Sequence, residues 1–254
     1  MNCYGITDIG KKRSSNQDCF SICLPESGPY DCILTVCDGM GGANGGETAS
    51  KTAIEVYCRT VEDALDSCDG EGAVKSLLAH GVDLANKEVH VISNTNEELA
   101  GMGTTLVSAL VPADGERIFL VNVGDSRAYL ISNKEIRQIS HDHSYVQHLV
   151  DMGELSPSKA ANHPDRNLLT RAVGIEGEII PDIKTIITSG FSHLLLCSDG
   201  LHGMVKDADI KKLVISADGD VRTKAEALVS LANRKGGNDN ITVILAELPT
   251  KENR

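Results

Sequence analysis

Three aspartates lie at the ends of apolar runs that are typical of buried strands. Asp38 and Asp199 each follow such a run, and Asp239 lies just ahead of another. A buried carboxylate costs several kcal/mol unless a partner compensates its charge. Carboxylate oxygens, and the backbone carbonyl of Gly39 beside Asp38, are hard donors of the kind that Mg²⁺ and Mn²⁺ prefer. The pattern predicts a cation site, against the alternative that the Asp-Gly pairs are only turns.

These acids would act together if the fold brought them close. Three carboxylates within a few ångströms of one another cannot all stay ionised without cations. Two divalent ions roughly 3.5–4 Å apart would neutralise them and activate a bridging water molecule. Arg13 lies in a polar loop ahead of a strand that carries Asp18, where it would clamp an anionic substrate; the alternative is a solvated loop arginine. This combination predicts hydrolysis of a phosphate monoester.

The elements that must position these residues follow from hydrophobic periodicity. Helices are predicted at residues 46–66, 74–92, 144–152, 207–215 and 221–234. Strands are predicted at residues 3–8, 19–24, 33–37, 104–111, 117–123, 127–131, 136–139, 183–188, 193–197 and 241–248, of which those from 104 to 139 form an antiparallel meander. Blocks of strands separated by helix pairs predict an α+β protein with antiparallel sheets covered by helices on both sides.

The irregular, polar segment 141–174 is predicted to be a substrate flap. It contains His141 and His143, but no cysteine or third histidine stands at the spacing of a zinc site, so we interpret it as a solvated loop.

Composition sets further bounds. With 254 residues, 41% hydrophobic, and a formal charge of -12, the chain suits one large globular domain and argues against binding to nucleic acid or anionic membranes. No apolar run reaches the length of a membrane span, and the N-terminus resembles neither a signal peptide nor a myristoylation site. The eight cysteines form no Cys-x-x-Cys pair and are interpreted as reduced thiols of a cytoplasmic protein.

Several short motifs, in this order, resemble the metal-dependent serine/threonine protein phosphatases of the type 2C (PPM) family in its bacterial form. They are Arg13-Ser14-Ser15-Asn16-Gln17-Asp18, Asp38-Gly39-Met40-Gly41-Gly42, Gly101-Met102-Gly103-Thr104-Thr105, Gly124-Asp125-Ser126-Arg127, Ser198-Asp199-Gly200 and Gly237-Asn238-Asp239-Asn240-Ile241-Thr242. The resemblance covers nearly the whole chain. It implies a phosphatase domain at residues 1–250, with a flap subdomain at about 141–180, and a tail at 251–254.

The resemblance also implies a four-layer α/β/β/α sandwich, two antiparallel sheets flanked by helices, with two Mn²⁺ or Mg²⁺ ions at one end. Asp38 would bridge both ions, the Gly39 carbonyl would bind one, and Asp199 and Asp239 would bind the other. The implied roles of the remaining residues are a hydrogen bond to metal-bound water for Asp18, binding of the substrate phosphate for Arg13, and help in holding a weak third metal, as in some relatives, for Asp125.

The chain departs from the family pattern at three positions. Gln17 replaces a Glu found in many relatives. Gly203 replaces an Asp that binds the third metal in animal members, which weighs against a third ion here. Met40 replaces a His proposed as general acid in animal members; we expect metal-bound water to supply that proton, with His202 as the rival donor.

As partners, the resemblance implies phosphoproteins, expected to be the substrates of a bacterial Ser/Thr kinase, and a monomer. Two alternatives remain open. One is a catalytically weak family member that acts as a binding or regulatory module, and the other is a phosphatase of a small phosphorylated metabolite.

Overall fold

The computed structural model describes residues 1–25, 28–42, 44–160, 162–175, 177–216 and 218–249. The strands are β1 (Cys3–Asp8), β2 (Asp18–Cys23), β3 (Tyr30–Met40), β4 (Gly103–Thr104), β5 (Leu106–Pro112), β6 (Arg117–Val123), β7 (Arg127–Ile131), β8 (Ile136–Gln138), β9 (Asp182–Ile187), β10 (His193–Cys197) and β11 (Ile241–Glu247). The helices are α1 (Gly45–Leu65), α2 (Gly70–Thr95), α3 (Tyr145–Asp151), α4 (Pro157–Ala160), α5 (Asp199–His202), α6 (Asp207–Ser216) and α7 (Val221–Arg234), and a 3₁₀ turn spans Glu97–Leu99.

The strands form two antiparallel sheets. The first sheet has the order β1-β11-β10-β7-β8, so that the last strand of the chain is inserted between β1 and β10. The second sheet has the order β2-β3-β5-β6-β9, with the short β4 paired to the end of β3. Neighbouring strands in both sheets run antiparallel throughout this order.

Alternation along β3 shows how the layers are built. Leu34 and Val36 point into the core between the two sheets, whereas Ile33 and Cys37 pack against α1 and α2. Both faces of this strand are therefore buried, which is why its sequence reads as an unbroken apolar run. On α1, Ala49, Ala53, Tyr57 and Val61 recur every fourth residue and form the stripe that faces the second sheet. A third core lies between the first sheet and helices α5–α7.

The predicted fold class is confirmed: two antiparallel sheets pack face to face, and helices cover both outer faces. Two local predictions were wrong. The strand predicted to end before Asp38 continues to Met40, because Gly39 and Met40 pair with Thr104 and Gly103 of β4. The meander is divided, because β6 belongs to the second sheet and β7 to the first.

The change of sheet takes place in the turn Gly124–Ser126. Gly124 has φ +96°, a conformation that disfavours a side chain, and a Cβ there would lie 2.6 Å from the Thr105 methyl carbon. The chain can cross from one sheet to the other here only because this position is glycine. Asp125 follows directly and is thereby placed at the end of the sandwich.

Candidate metal centre and active-site cleft

The second sheet supplies two of the predicted acids. Asp18 begins β2 and lies directly opposite Asp38 of β3 in the strand register. Cross-strand partners have Cβ atoms about 4.5–5.5 Å apart, so the two carboxylates share one location. The two motifs that carry these acids are twenty residues apart in the sequence, and antiparallel pairing brings them together.

The first sheet and its connections supply the other acids. Asp199 follows β10 as the first residue of α5, and Asp239 lies just before β11, the strand paired with β10. Asp125 lies in the turn where the chain changes sheet. All three line the same cleft as Asp38 and Gly39, so the structure brings the predicted metal ligands of both sheets together.

Hydroxyl groups of the Gly-Met-Gly-Thr-Thr motif hold the backbone at Asp38. The Asp38 N–H donates to Thr105 Oγ1 at 2.9 Å, and the Asp38 carbonyl accepts from Thr105 N–H and Thr104 Oγ1, both at 2.9 Å. Thr105 Oγ1 also bonds to Ser126 Oγ at 2.7 Å. A side chain on the neighbouring Gly39 would collide with the carbonyl of Gly46. This position therefore needs glycine for packing as well as for an accessible carbonyl.

Asp18 is held behind the cleft by two hydroxyl donors. Its Oδ2 accepts from Ser198 Oγ and from Thr242 Oγ1, each at 2.7 Å. Its Oδ1 is buried and has no hydrogen-bond partner among the described residues. Only 7% of the residue is exposed, and Asp18 is not among the residues that line the cleft, which fits a group that acts from behind the ligands.

Arg13 lies at the rim of the cleft. One of its guanidinium nitrogens, Nη2, donates to Asp239 Oδ2 at 2.6 Å, and the side chain is 51% exposed. The loop that carries it is fixed by Asn240, whose Oδ1 accepts from Gln17 N–H at 2.9 Å and whose Nδ2 donates to the carbonyl of Ser15 at 3.0 Å. A cation is thus held beside the acids in the lining of the cleft.

The cleft has a volume of about 420 Å³. The Gly-rich segment after Asp38 forms one wall, braced by Gln17 Nε2, which donates to the carbonyls of Gly41 at 3.1 Å and Gly42 at 3.0 Å. Asn167 and Leu169 of the predicted flap line the cleft as well. Gln17, which departs from the family pattern, therefore supports the loop as a hydrogen-bond donor, a role that an ionised Glu could not fill.

Burial and mutual repulsion make the ionised acids unfavourable. Burial, followed by the neighbouring carboxylates, raises the pKa of Asp38 well above its usual range and that of Asp199 to about 8. Burial together with Asp142 raises the pKa of Asp125 to about 7. The pKa of Asp18 rises to about 6 through burial, and its hydrogen bonds from Ser198 and Thr242 oppose that rise. The cluster therefore favours a compensating positive charge.

The donor set fits divalent cations. Asp199 Oδ1, like Asp18 Oδ1, is buried without a hydrogen-bond partner among the described residues. Within that part of the chain, no group of three or more His, Cys, Asp or Glu side chains is arranged to hold an ion by itself. Mg²⁺ and similar hard ions are commonly held by one or two carboxylates and retain several water ligands, so acids spread along a wet cleft suit them better than a closed cage.

The structure accounts for His202, the rival proton donor, and for Gly203, the residue that replaces a third-metal Asp. His202 Nε2 lies 3.0 Å from the carbonyl oxygen of Asp125, so the ring supports that turn, and burial lowers its pKa to about 3. The ring is not among the residues lining the cleft, which makes it a poor proton donor there. At Gly203, a Cβ would come within 2.8 Å of the Asp199 carbonyl oxygen.

Sequence reasoning missed the supporting hydroxyl and amide groups. Thr105, Ser198, Thr242 and Asn240 all belong to recognised motifs, but each had been given no role. A small polar residue next to a predicted ligand, in an otherwise apolar strand, is the signal that could have identified them. Arg127, which binds buried Asp142 through two nitrogens at 2.7–3.0 Å, was likewise missed.

The fold and this acidic cleft are those of a metal-dependent phosphatase. Residues 10–245 match the family model described as protein phosphatase 2C. The protein phosphatase PhpP of Streptococcus pneumoniae is 37% identical over 244 residues, which cover 96% of this chain and 96% of that protein. A crystal structure of a bacterial serine phosphatase superimposes with a TM-score of 0.90 at 35% identity, covering 99% of both chains. The catalytic domain of the serine/threonine phosphatase PstP, solved with 2 manganese ions, gives 0.80 at 32% identity and 98% coverage of both.

The chain belongs to the protein phosphatase 2C family. The resemblance inferred from its motifs is thereby confirmed, and so is the prediction that the protein is an enzyme, a protein phosphatase. No helix in the described ranges combines the length and apolar character needed to cross a bilayer.

Proposed function

We propose that the cleft holds two divalent cations, Mn²⁺ or Mg²⁺, and hydrolyses phosphoserine and phosphothreonine in proteins. In this proposal the Asp38 carboxylate would be shared by both ions, the Gly39 carbonyl would help to hold one, and Asp199 and Asp239 would hold the other. The observation that carries it is that carboxylates from two sheets meet in one cleft where their ionised forms are unfavourable. The manganese-bound structure of PstP, which has the same fold, supports the choice of ion.

When bound, such ions supply positive charge and a water molecule of lowered pKa as the nucleophile. The residues of the chain supply the positioning. The bonds from Thr104 and Thr105 fix the Asp38 backbone, so the carboxylate is held where it can serve both ions. Ser198 and Thr242 occupy one oxygen of Asp18, which leaves the other to accept a hydrogen bond from water of the site.

Arg13 is proposed to bind the substrate phosphate. Its planar guanidinium presents several N–H groups in one plane and matches two phosphate oxygens at once. The contact with Asp239 engages Nη2, and the side chain is 51% exposed beside the cleft that it lines. Asp125 is proposed as a ligand of a third, weaker ion, and because Gly203 contributes no carboxylate, we expect that ion to be held loosely.

The substrates are phosphoproteins, as expected for a serine/threonine protein phosphatase. We propose that the opposing enzyme is a Ser/Thr kinase of the same bacterium and that the phosphatase acts as a monomer. A cytoplasmic location is supported by the cysteines, all eight of which are free thiols and therefore suit a reducing compartment.

We further propose that residues 1–250 form one phosphatase domain with a flap subdomain at about 141–180. Asn167 and Leu169 reach the cleft from this segment, and buried Asp142 ties its start to Arg127 of β7. The predicted tail, 251–254, lies outside the described residues.

The test is release of phosphate from a phosphoserine peptide with Mn²⁺, with Mg²⁺, and with EDTA. We expect turnover with either ion and none with the chelator. Parallel assays on sugar phosphates address the metabolite alternative, which would require faster turnover of the small substrate. A binding or regulatory module would show no turnover with any ion at peptide concentrations that saturate binding. The names of the relatives favour neither alternative.

A further inference from the structure

A second cavity opens beside the active-site cleft. It has a volume of about 270 Å³ and is lined by Arg13, Ser14, Ser15, Gln17 and Gly42. Three of these, Arg13, Gln17 and Gly42, also line the cleft, so the two cavities share a wall. We refer to the second cavity as the loop pocket, because most of its lining comes from the loop between β1 and β2.

The loop is held in place at both of its ends. Lys11 N–H donates to the Gly237 carbonyl at 2.7 Å. Further along, the Asn240 side chain bonds to Ser15 and Gln17. A loop anchored in this way loses little conformational entropy when it binds a ligand, which is the condition for a preorganised subsite.

The lining has the chemistry of an anion site. Ser14 and Ser15 line the pocket, and a serine hydroxyl group can donate a hydrogen bond to an anion. Arg13 also lines the pocket, and Lys11 and Lys12 precede it in the sequence without lining the pocket themselves. Together they are the one run of three consecutive cations in a chain whose formal charge is -12. Lys11 and Lys12 are exposed, and within the described ranges neither forms an ion pair.

The proximity of the loop pocket to the cleft indicates that an anion bound in the pocket is part of the substrate bound in the cleft. An extended peptide advances about 3.3 Å per residue, so a residue close in sequence to a phosphoserine bound in the cleft can cross the shared wall. We propose that the loop pocket binds an anionic side chain of the phosphoprotein substrate, a carboxylate or a second phosphate, near the residue that is dephosphorylated. This inference rests on the proposed function and adds a substrate preference to it.

The test uses the manganese-loaded enzyme and phosphoserine peptides that differ at one position, which carries Gln, Glu or a second phosphoserine. The position is placed one, two or three residues before or after the scissile phosphoserine. Because exposed ion pairs are individually weak, two lysines and two hydroxyls give an expected kcat/KM ratio of Glu over Gln of about threefold to tenfold at the best position. The ratio should fall as salt rises, because the lysines are exposed.

Two variants distinguish binding in the loop pocket from long-range attraction by the overall charge of the protein. Lys11→Ser/Lys12→Ser should bring the Glu/Gln ratio close to one, and Ser14→Ala/Ser15→Ala should lower it without changing the charge. The matched control, Lys211→Ser/Lys212→Ser on α6, makes the same change of net charge on the helix layer of the first sheet and should keep the ratio. The Glu and phosphoserine peptides identify the ligand. A higher kcat/KM than the Gln peptide for both indicates that the pocket accepts any anion, and a higher kcat/KM for the second phosphoserine alone indicates that it binds phosphate.

The inference is overturned if the wild-type enzyme shows no gain from Glu or phosphoserine at any position, or if the gain survives in both pocket variants. Hydrolysis of p-nitrophenyl phosphate, which has no flanking residue, is measured for every variant. Normal hydrolysis without a flanking preference refutes the loop pocket alone. Absence of hydrolysis by the wild-type enzyme with Mn²⁺ refutes the proposed function and the inference with it.

Discussion

Replacing Asp199 with Asn should stabilise the protein in EDTA and destabilise it in saturating Mn²⁺. The carboxyl has a pKa of about 8 in the folded protein, chiefly because it is buried, against an ordinary value of 3.8. The fold therefore retains a proton that the unfolded chain releases. The stability that this proton provides is complete below pH 3.8 and is lost progressively as the pH rises towards 8.

The magnitude follows from proton linkage. Between pH 5 and pH 7 the folded chain holds about one more proton than the unfolded chain at this position, which lowers the free energy of unfolding by roughly 3 kcal/mol over the two pH units. This is an upper limit, since the cleft admits water to part of the carboxyl. Asn cannot titrate, so its contribution to the free energy of unfolding does not change with pH. The difference in that free energy, variant minus wild type, should therefore be larger at pH 7 than at pH 5 by up to this amount. For a chain of this size, that is roughly 6–12 °C in Tm.

The assay is thermal unfolding of both proteins at pH 5 and pH 7 in EDTA. Comparing the proteins at the same pH cancels the contribution of His193 and His202, whose lowered pKa values favour the unfolded state in acid. Asp209→Asn is the control, because the Lys235 ion pair lowers the pKa of Asp209 and its loss should be slightly destabilising at pH 7. Equal Tm differences at the two pH values, or no change of sign on adding Mn²⁺, would refute the reasoning.

Three further outcomes are expected. Asp38→Asn should abolish phosphatase activity at saturating Mn²⁺ and leave the circular dichroism spectrum unchanged, since the amide keeps the shape but not the charge that holds two cations; turnover near that of wild type would remove Asp38 from the site. Arg13→Lys should raise KM for a phosphoserine peptide by roughly tenfold and change kcat less, because a point charge replaces a two-pronged donor; an unchanged KM would leave Arg13 only its contact with Asp239. Thr242→Val removes one of the hydrogen bonds to buried Asp18, so it should lower the free energy of unfolding, measured in urea with EDTA, by about 1–3 kcal/mol and weaken Mn²⁺ binding measured by calorimetry. If neither the free energy of unfolding nor the Mn²⁺ affinity changes, the bond is dispensable.

The parts of the site that could be predicted from sequence are those with a local signature. An acid that interrupts an apolar run at Asp38 or Asp199 stands out against its neighbours, and glycine or a hydroxyl residue beside it narrows the interpretation. The layers were predictable for a similar reason. The alternation of side chains along strands such as β3, and the apolar residues at every fourth position of α1, are local patterns within one segment of the sequence.

The parts that could not be predicted depend on register and on contacts between distant segments. Nothing near Asp18 in the sequence indicates that its carboxylate accepts from Ser198 and Thr242, which lie 180 and 224 residues away. The continuation of β3 through Asp38 depends on pairing with β4, and the division of the meander depends on a single glycine turn. Such features are decided by tertiary packing, which local propensity does not encode.

The position of β11 has a consequence for folding during synthesis on the ribosome. This strand, more than 230 residues after β1, lies between β1 and β10, and Asp239 stands two residues before it. During synthesis, β1 therefore has no partner in its sheet until residues 241–247 have emerged, and Asp239 cannot join the acids of the second sheet before then. Domains whose contacts are so far apart in sequence fold late. A nascent chain that lacks β11 should accordingly be inactive, and any truncation that removes β11 should abolish activity, because β1 and β10 lose the strand that joins them.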